Sequence, residues 1–205
     1  MNKSPAKFTW ITENEKTIFH TPIMDLVQRD CRSSEDGRPH PFYVLTSRDW
    51  CNIIPITTEG KIVLVKQYRV GIEAHTLEIP GGITDAKDNH VLESALRELT
   101  EETGYTPAPG ARSYNLGSCH PNPAILNNRA HFFVVGPVIK SENQNLDPGE
   151  MIEVVELPIE DLPNAIRDGQ ITHTLTINAL TYFNLKFAQD SKALIQGLES
   201  FSRTP

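Results

Sequence analysis

The stretch GGITDAKDNHVLESALRELTEETGY, Gly81 to Tyr105, constrains this 205-residue chain more than any other. It opens on a Gly-Gly pair after Pro80, where a strand ends and the backbone turns tightly or approaches a ligand. From about Val91 the spacing is helical, with Leu92, Ala95, Leu96 and Leu99 recurring every three or four residues, and Gly104 stops the helix in the C-cap manner. At ~100° per residue, Arg97, Glu98, Glu101 and Glu102 share one arc beside the apolar stripe. Acids are disfavoured there, by about 0.3–1 kcal/mol each, because the C-terminal end of a helix is already negative. Two carboxylates about 4 Å apart repel by about 4 kcal/mol at an effective dielectric of 20. Two readings stay open on spacing alone. The acids form a solvated face, or they hold a divalent cation, which reverses both penalties.

The same stretch resembles the Nudix box: Gly, five residues, Glu, seven residues, then Arg-Glu-aliphatic-x-Glu-Glu-x-Gly-apolar. Arg97-Glu98-Leu99-Thr100-Glu101-Glu102-Thr103-Gly104-Tyr105 matches at every fixed position. The first half departs from the pattern. Counted forward from Gly82 the Glu position holds Asp88, and counted back from Arg97 it holds Asn89, so the loop carries one extra residue. The resemblance implies an α/β/α sandwich with a mixed sheet and hydrolysis of a diphosphate by water. It implies Mg²⁺, with Mn²⁺ as a substitute, held by Glu98, Glu101, Glu102 and the carbonyl of Gly81, while Arg97 is braced by the acid at the departing position.

Flanking residues refine the implied substrate. Members resembling ADP-ribose pyrophosphatases carry a Pro 16 residues beyond the box, and Pro121 stands there. Its setting, HPNPAILNNRAHFF, includes Arg129, a phosphate contact or an ordinary surface Arg. KQYR, Lys66 to Arg69, ends a core strand and resembles the segment that meets the sugar or diphosphate; charged residues at a strand exit explain it as well. Glu150 occupies the place of the family's general base, though Glu142, Asp147 and Glu153 lie nearby as solvated alternatives. Phe8, Trp10 and Tyr43 are candidates to stack on a base or to pack in a core or interface. The implied activity is hydrolysis of nucleoside diphosphate sugars, ADP-ribose foremost, to a nucleoside monophosphate and a sugar phosphate. Hydrolysis of dinucleotides or modified nucleoside triphosphates is the second reading, and nucleotide binding without catalysis the third.

The remainder of the chain sets the expected organisation. Residues 8–47 read as short strands, FTWI, KTIFHT, Ile23 to Cys31 and PFYVLTS, a small antiparallel β-sheet with little to bury against alone. We therefore expect an N-terminal β extension over 1–48, serving dimerisation, and a Nudix hydrolase domain over 49–205. In the second part CNIIPIT and KIVLVKQYR read as buried strands, and HTLEIPGG delivers the chain into the box. A loop, a strand, a second loop and the strand His131–Val138 are expected after the helix. IEVVELP then reads as a strand, IEDLPNAIRDG and THTLTINALTYFNLKFAQ as helices, and KALIQGLESFSRTP as a short terminal helix. A net charge of −7 argues against a nucleic-acid partner. The N-terminus lacks a signal-peptide pattern and no apolar run approaches 18 residues, so a membrane partner is not expected either. Cys31, Cys51 and Cys119, widely spaced and odd in number, read as free thiols in a reducing cytoplasm.

Overall fold

The structure, a computed structural model, describes residues 8–187; the expected C-terminal helix lies outside them. The chain divides into two compact units, one formed by residues 1–50 with 119–130, the other by 51–118 with 131–205.

The first unit carries a three-stranded antiparallel sheet in the order β1 (Trp10–His20), β2 (Asp25–Ser33), β3 (Pro39–Thr46). Where two short strands were expected, FTWI and KTIFHT are one strand of 11 residues. Register shifts between Thr12 and Asn14 and between Thr17 and Phe19 let it keep pairing across its polar middle. Of the residues in these strands only Val27 and Cys31 are buried, while Trp10, Ile11, Ile18, Phe19 and Tyr43 are exposed. Ion pairs from Arg29 to Glu15 (2.7 Å) and from Arg32 to Glu13 (2.6 Å) cross the sheet. Such exposed pairs contribute about 0–1 kcal/mol, so the sheet has little holding energy of its own.

The second unit holds most of the larger, mixed sheet. Its strands are β4 (Trp50–Thr57), β5 (Lys61–Arg69), β6 (Ala74–Glu78), β7 (Gly81–Ile83), β8 (Tyr105–Cys119), β9 (Ala130–Lys140) and β10 (Ile152–Pro158). The order is β10-β5-β4-β9-β8, with β6 pairing β5 and β7 pairing β4. The helices are α1 (Val91–Thr103), α2 (Leu162–Arg167) and α3 (Thr174–Phe187). Alternation along the central strands puts the helices on both faces. Cys51, Ile53 and Val63 pack with Ala95 and Leu99 of α1. Ile54, Ile56 and Ile62, pointing the other way, line a cavity of about 200 Å³ with Leu162, Ile166, Leu180 and Phe183 of α2 and α3. This is the α/β/α sandwich expected.

One segment departs from the sequence reading. TPAPGARS, expected as a loop because of its Pro and Gly, belongs to the 15-residue strand β8. That strand is the last in the sheet order, and an edge strand tolerates Pro because one row of its backbone groups needs no partner.

Candidate active site

The site in the second unit is built where β7 hands the chain to α1. A Cβ on Gly81 would lie 2.2 Å from the carbonyl oxygen of Cys51 and 2.4 Å from Nδ2 of Asn52; one on Gly82 would lie 2.7 Å from the carboxylate of Glu98. Only the bare backbone fits, so the Gly-Gly pair lets the loop lie directly against that carboxylate. The backbone N–H of Gly81 also donates to Oε2 of Glu102 at 2.9 Å.

Glu102 is 3% exposed, although its place on the helix puts it at the margin of the apolar stripe. Burial pushes its carboxyl well above the usual range, and the charges of Glu98 and Glu150 push the same way, against the Gly81 hydrogen bond. Glu98 is raised too, first by burial, with Arg97 opposing and Glu101 and Glu150 adding repulsion. Arg97 serves as the local counter-charge, lying 2.6 Å from Glu101, 2.9 Å from Glu98 and 3.8 Å from Asp88. Burial works against its charge, and the facing carboxylates outweigh that, so the guanidinium is held firmly cationic.

The loop with the extra residue closes through Asp85 and Asp88. Lys87 N–H donates to Asp85 (2.9 Å), and Ser94 Oγ donates to Asp88 (2.6 Å) while lying 3.3 Å from the Asp85 N–H. Asp88 thereby faces Arg97, whereas Asn89 lies against Glu93 at 2.9 Å. Glu101, expected beside Glu98 and Glu102 as a metal ligand, pairs with Arg97, as Glu98 does. Among the described residues no three His, Cys, Asp or Glu side chains converge as a ready-made metal cage. The donor set nonetheless fits a hard divalent cation. Glu98 and Glu102 are oxygen donors crowded against the Gly81–Gly82 backbone, and burial and mutual repulsion oppose their charge until a cation offsets it.

Glu150 lies in the segment between β9 and β10, two residues before β10 begins. Its N–H donates to the carbonyl of Asp147 (2.9 Å) and its carboxylate accepts from the Asp147 N–H (3.0 Å), a tight turn whose charge reaches Glu98, Glu102 and Arg69. Arg69, at the end of β5, donates through Nε and Nη2 to both oxygens of Glu78, each at 2.7 Å. Glu78 is 1% exposed and also receives His173 Nδ1 at 2.9 Å and the hydroxyl of Thr76. Burial alone pushes Glu78 up, and Arg69 and His173 outweigh it, holding the carboxyl well below the usual range. Two of the donor nitrogens of Arg69 are thus committed to Glu78, which fixes the guanidinium while the side chain stays 45% exposed. Sequence reading missed Glu78 and His173. An acid between Leu77 and Ile79 in a buried strand was the available signal, since such acids are almost never buried unpaired.

Pro121 and Arg129 fall in the first unit. Arg129 lies 3.0 Å from Nε2 of His120, and its backbone N–H donates to Asp49 at 2.8 Å. Pro121 follows His120 at a bend ahead of the turn at 123–125. Of the aromatic candidates, Trp10 packs edge-on against Phe42 at 5.0 Å, and Phe8 and Tyr43 are exposed.

Comparison with known proteins accords with this geometry. The family model described as NUDIX domain matches residues 48–175. The ADP-ribose pyrophosphatase of Bacillus subtilis (strain 168) is 29% identical over 175 residues, covering 85% of this chain and 92% of that protein. The methanol dehydrogenase activator of Bacillus methanolicus is 34% identical over 142 residues, 68% of this chain and 74% of the other. A crystal structure of an ADP compounds hydrolase superposes with a TM-score of 0.75 at 23% identity, covering 90% of this chain and 97% of that one, which speaks for the fold. The chain belongs to the NUDIX family. It is a Nudix hydrolase related to ADP-ribose pyrophosphatase.

Proposed function

We propose that this enzyme hydrolyses the diphosphate bond of nucleoside diphosphate sugars, with ADP-ribose the preferred substrate and Mg²⁺, or Mn²⁺ in its place, as the cofactor. The observation that carries this is electrostatic. Glu98, Glu102 and Glu150 repel one another in one place, with the guanidinium of Arg69 beside them. The B. subtilis relative's activity supports the choice of substrate.

Glu98, Glu101, Glu102 and the Gly81 carbonyl would hold the ion, and Arg97 pairs with Glu98 and Glu101 and holds them in place. When bound, Mg²⁺ would favour ionisation of water and offset negative charge on the diphosphate. Glu150 accepts the proton of the attacking water, and Arg69 draws the diphosphate into line. Arg129 and Pro121, which lie in the first unit, are assigned to substrate binding by the family resemblance alone. Water adds across the P–O–P bridge, so ADP-ribose gives AMP and ribose 5-phosphate.

The same reading assigns residues 1–48 to dimerisation and 49–205 to the hydrolase domain, and places the enzyme in the cytoplasm as a homodimer. The apolar side chains of β1 and β3 offer a surface to a second copy, and all three cysteines are free thiols. Among the described residues no helix is long and apolar enough to cross a membrane. Product analysis on a panel of ADP-ribose, other nucleoside diphosphate sugars, dinucleotides and nucleoside triphosphates, with and without Mg²⁺, tests the proposal. Metal-dependent release of AMP from ADP-ribose is the expected result, and preferential turnover of triphosphates would overturn it.

A further inference from the structure

The C-terminal end of α1 is an awkward place for the residues it carries. Its last turn holds Glu101 and Glu102 and no basic residue, and the final carbonyls of any helix lack partners within it. Segment Ser141–Asn145, between β9 and β10, supplies the missing donors. Asn145 N–H donates to the carbonyl of Glu101 (2.8 Å), and the N–H groups of Ser141 and Glu142 both donate to that of Gly104 (3.1 Å each). The Gln144 side-chain amide donates to the carbonyl of Glu102 at 2.6 Å and to that of Ile152 at 3.2 Å.

That last pair of bonds joins two places. One is the backbone of a glutamate at the centre of the site. The other is the first residue of β10, two positions after Glu150. Water would satisfy the same two carbonyls, but it would not tie helix to strand. A separate contact holds the segment close. The carbonyl oxygen of Glu142 lies where a Cβ on Gly104 would be only 2.3 Å away, so the loop rests on bare glycine backbone. The turn Asp147–Glu150 is closed by its own two hydrogen bonds, so its position depends on how its flanks are held.

We propose that Gln144 is a positioning residue: by bridging the carbonyls of Glu102 and Ile152 it sets the Glu150 turn at a fixed place relative to Glu98 and Glu102. This rests on Glu150 being the proton acceptor. Placing that carboxylate matters because a displacement of about 1 Å in a reacting group costs on the order of 100-fold in rate.

The test uses the full chain with Mg²⁺ and ADP-ribose, and four variants: Q144A, Q144E, E150Q and the double variant Q144A/E150Q. Q144E keeps the shape of the side chain but turns a carboxylate oxygen toward two carbonyls. Both single changes at Gln144 are expected to lower kcat by about 10- to 100-fold with little change in KM or in Mg²⁺ affinity. Q144A should add nothing further once E150Q is present. Hydrogen–deuterium exchange of the metal-free chain should quicken at Asn145 and at 149–152, and stay unchanged in the first turns of α1. Wild-type kcat in Q144E, additive losses in the double variant, or unchanged exchange at those amides would each overturn the proposal. Wild-type turnover in E150Q would overturn it too, while leaving diphosphate hydrolysis by the parent enzyme intact. A parent chain that hydrolyses no nucleoside diphosphate sugar sinks the proposed function, and the exchange measurement still decides the tether.

Discussion

Glu102 shows how one residue couples stability to function. It is buried, its carboxyl is held well above the usual range, and it accepts a hydrogen bond from the Gly81 backbone N–H. An acid whose folded-state pKa is raised binds more protons folded than unfolded, so the metal-free protein gains stability as pH falls through that raised value. E102Q should therefore melt above the metal-free parent at pH 7.5, and the gap should close as the pH is lowered toward the unfolded value of about 4.3. Differential scanning calorimetry across that range checks it; a gap that widens on acidification would contradict the burial argument. The same variant should lose more activity than the 10- to 100-fold that outer-shell changes cost. Asp88 tests the brace. D88A is expected to weaken Mg²⁺ affinity and turnover by about 10- to 100-fold, whereas N89A should do neither. Isothermal titration with Mg²⁺ separates the two, and a loss confined to N89A would place the brace on the wrong residue.

Helix α1 and its surroundings behave as one element. Its apolar residues Ala95 and Leu99 bury against the sheet, which holds the helix despite the acids in its last turn. Gly104 then does two things that no other residue does as well. At φ 72° it sits in the left-handed region, and it leaves room for the carbonyl of Glu142. G104A should cost about 1 kcal/mol or more for the backbone conformation, with the contact to Glu142 adding to it. Urea denaturation measures that loss. Stability within about 0.5 kcal/mol of the parent would show that the loop moves aside without penalty. The β8 segment gives the contrasting case, where Pro and Gly sit in a strand because the edge of a sheet asks little of them.

At the scale of the molecule, the first unit is the part that needs explaining. Its sheet buries only Val27 and Cys31 and leaves Trp10, Ile11, Phe19 and Tyr43 exposed. Residues 119–130 also belong to it, bound through Leu45 N–H to the carbonyl of Ile125 (2.8 Å) and Trp50 N–H to that of Arg129 (2.8 Å). A chain shortened to begin at Asp49 loses the partner of Ile125 and should turn over ADP-ribose poorly, if it stays soluble at all. Its Mg²⁺ binding should survive, because Glu98 and Glu102 lie wholly in the other unit. Light scattering on the intact 23.0 kDa chain should report twice that mass. An active monomer would rule out dimerisation through the sheet.

Periodicity and spacing alone settled a good deal. The helix from Val91, the glycine that ends it and the buried strands IIPI and IVLV follow from local rules, because their side-chain pattern matches one period throughout. The arc of acids left a solvated face and a cation site both open on spacing alone. Other features depended on contacts far apart in sequence. Glu78 is silent until Arg69 and His173 are brought to it, and Gln144 until its amide finds carbonyls at 102 and 152. Asp88 and Asn89 were equal candidates by counting, and the turn through Asp85 and Ser94 decided between them. The TPAPGARS part of β8 read as a loop because its propensities are those of a turn, and its strand pairing comes from a neighbouring strand supplied by the tertiary fold. Local chemistry determines which elements form; which polar groups meet, and so which carboxylates repel, is decided only when distant strands close on one another.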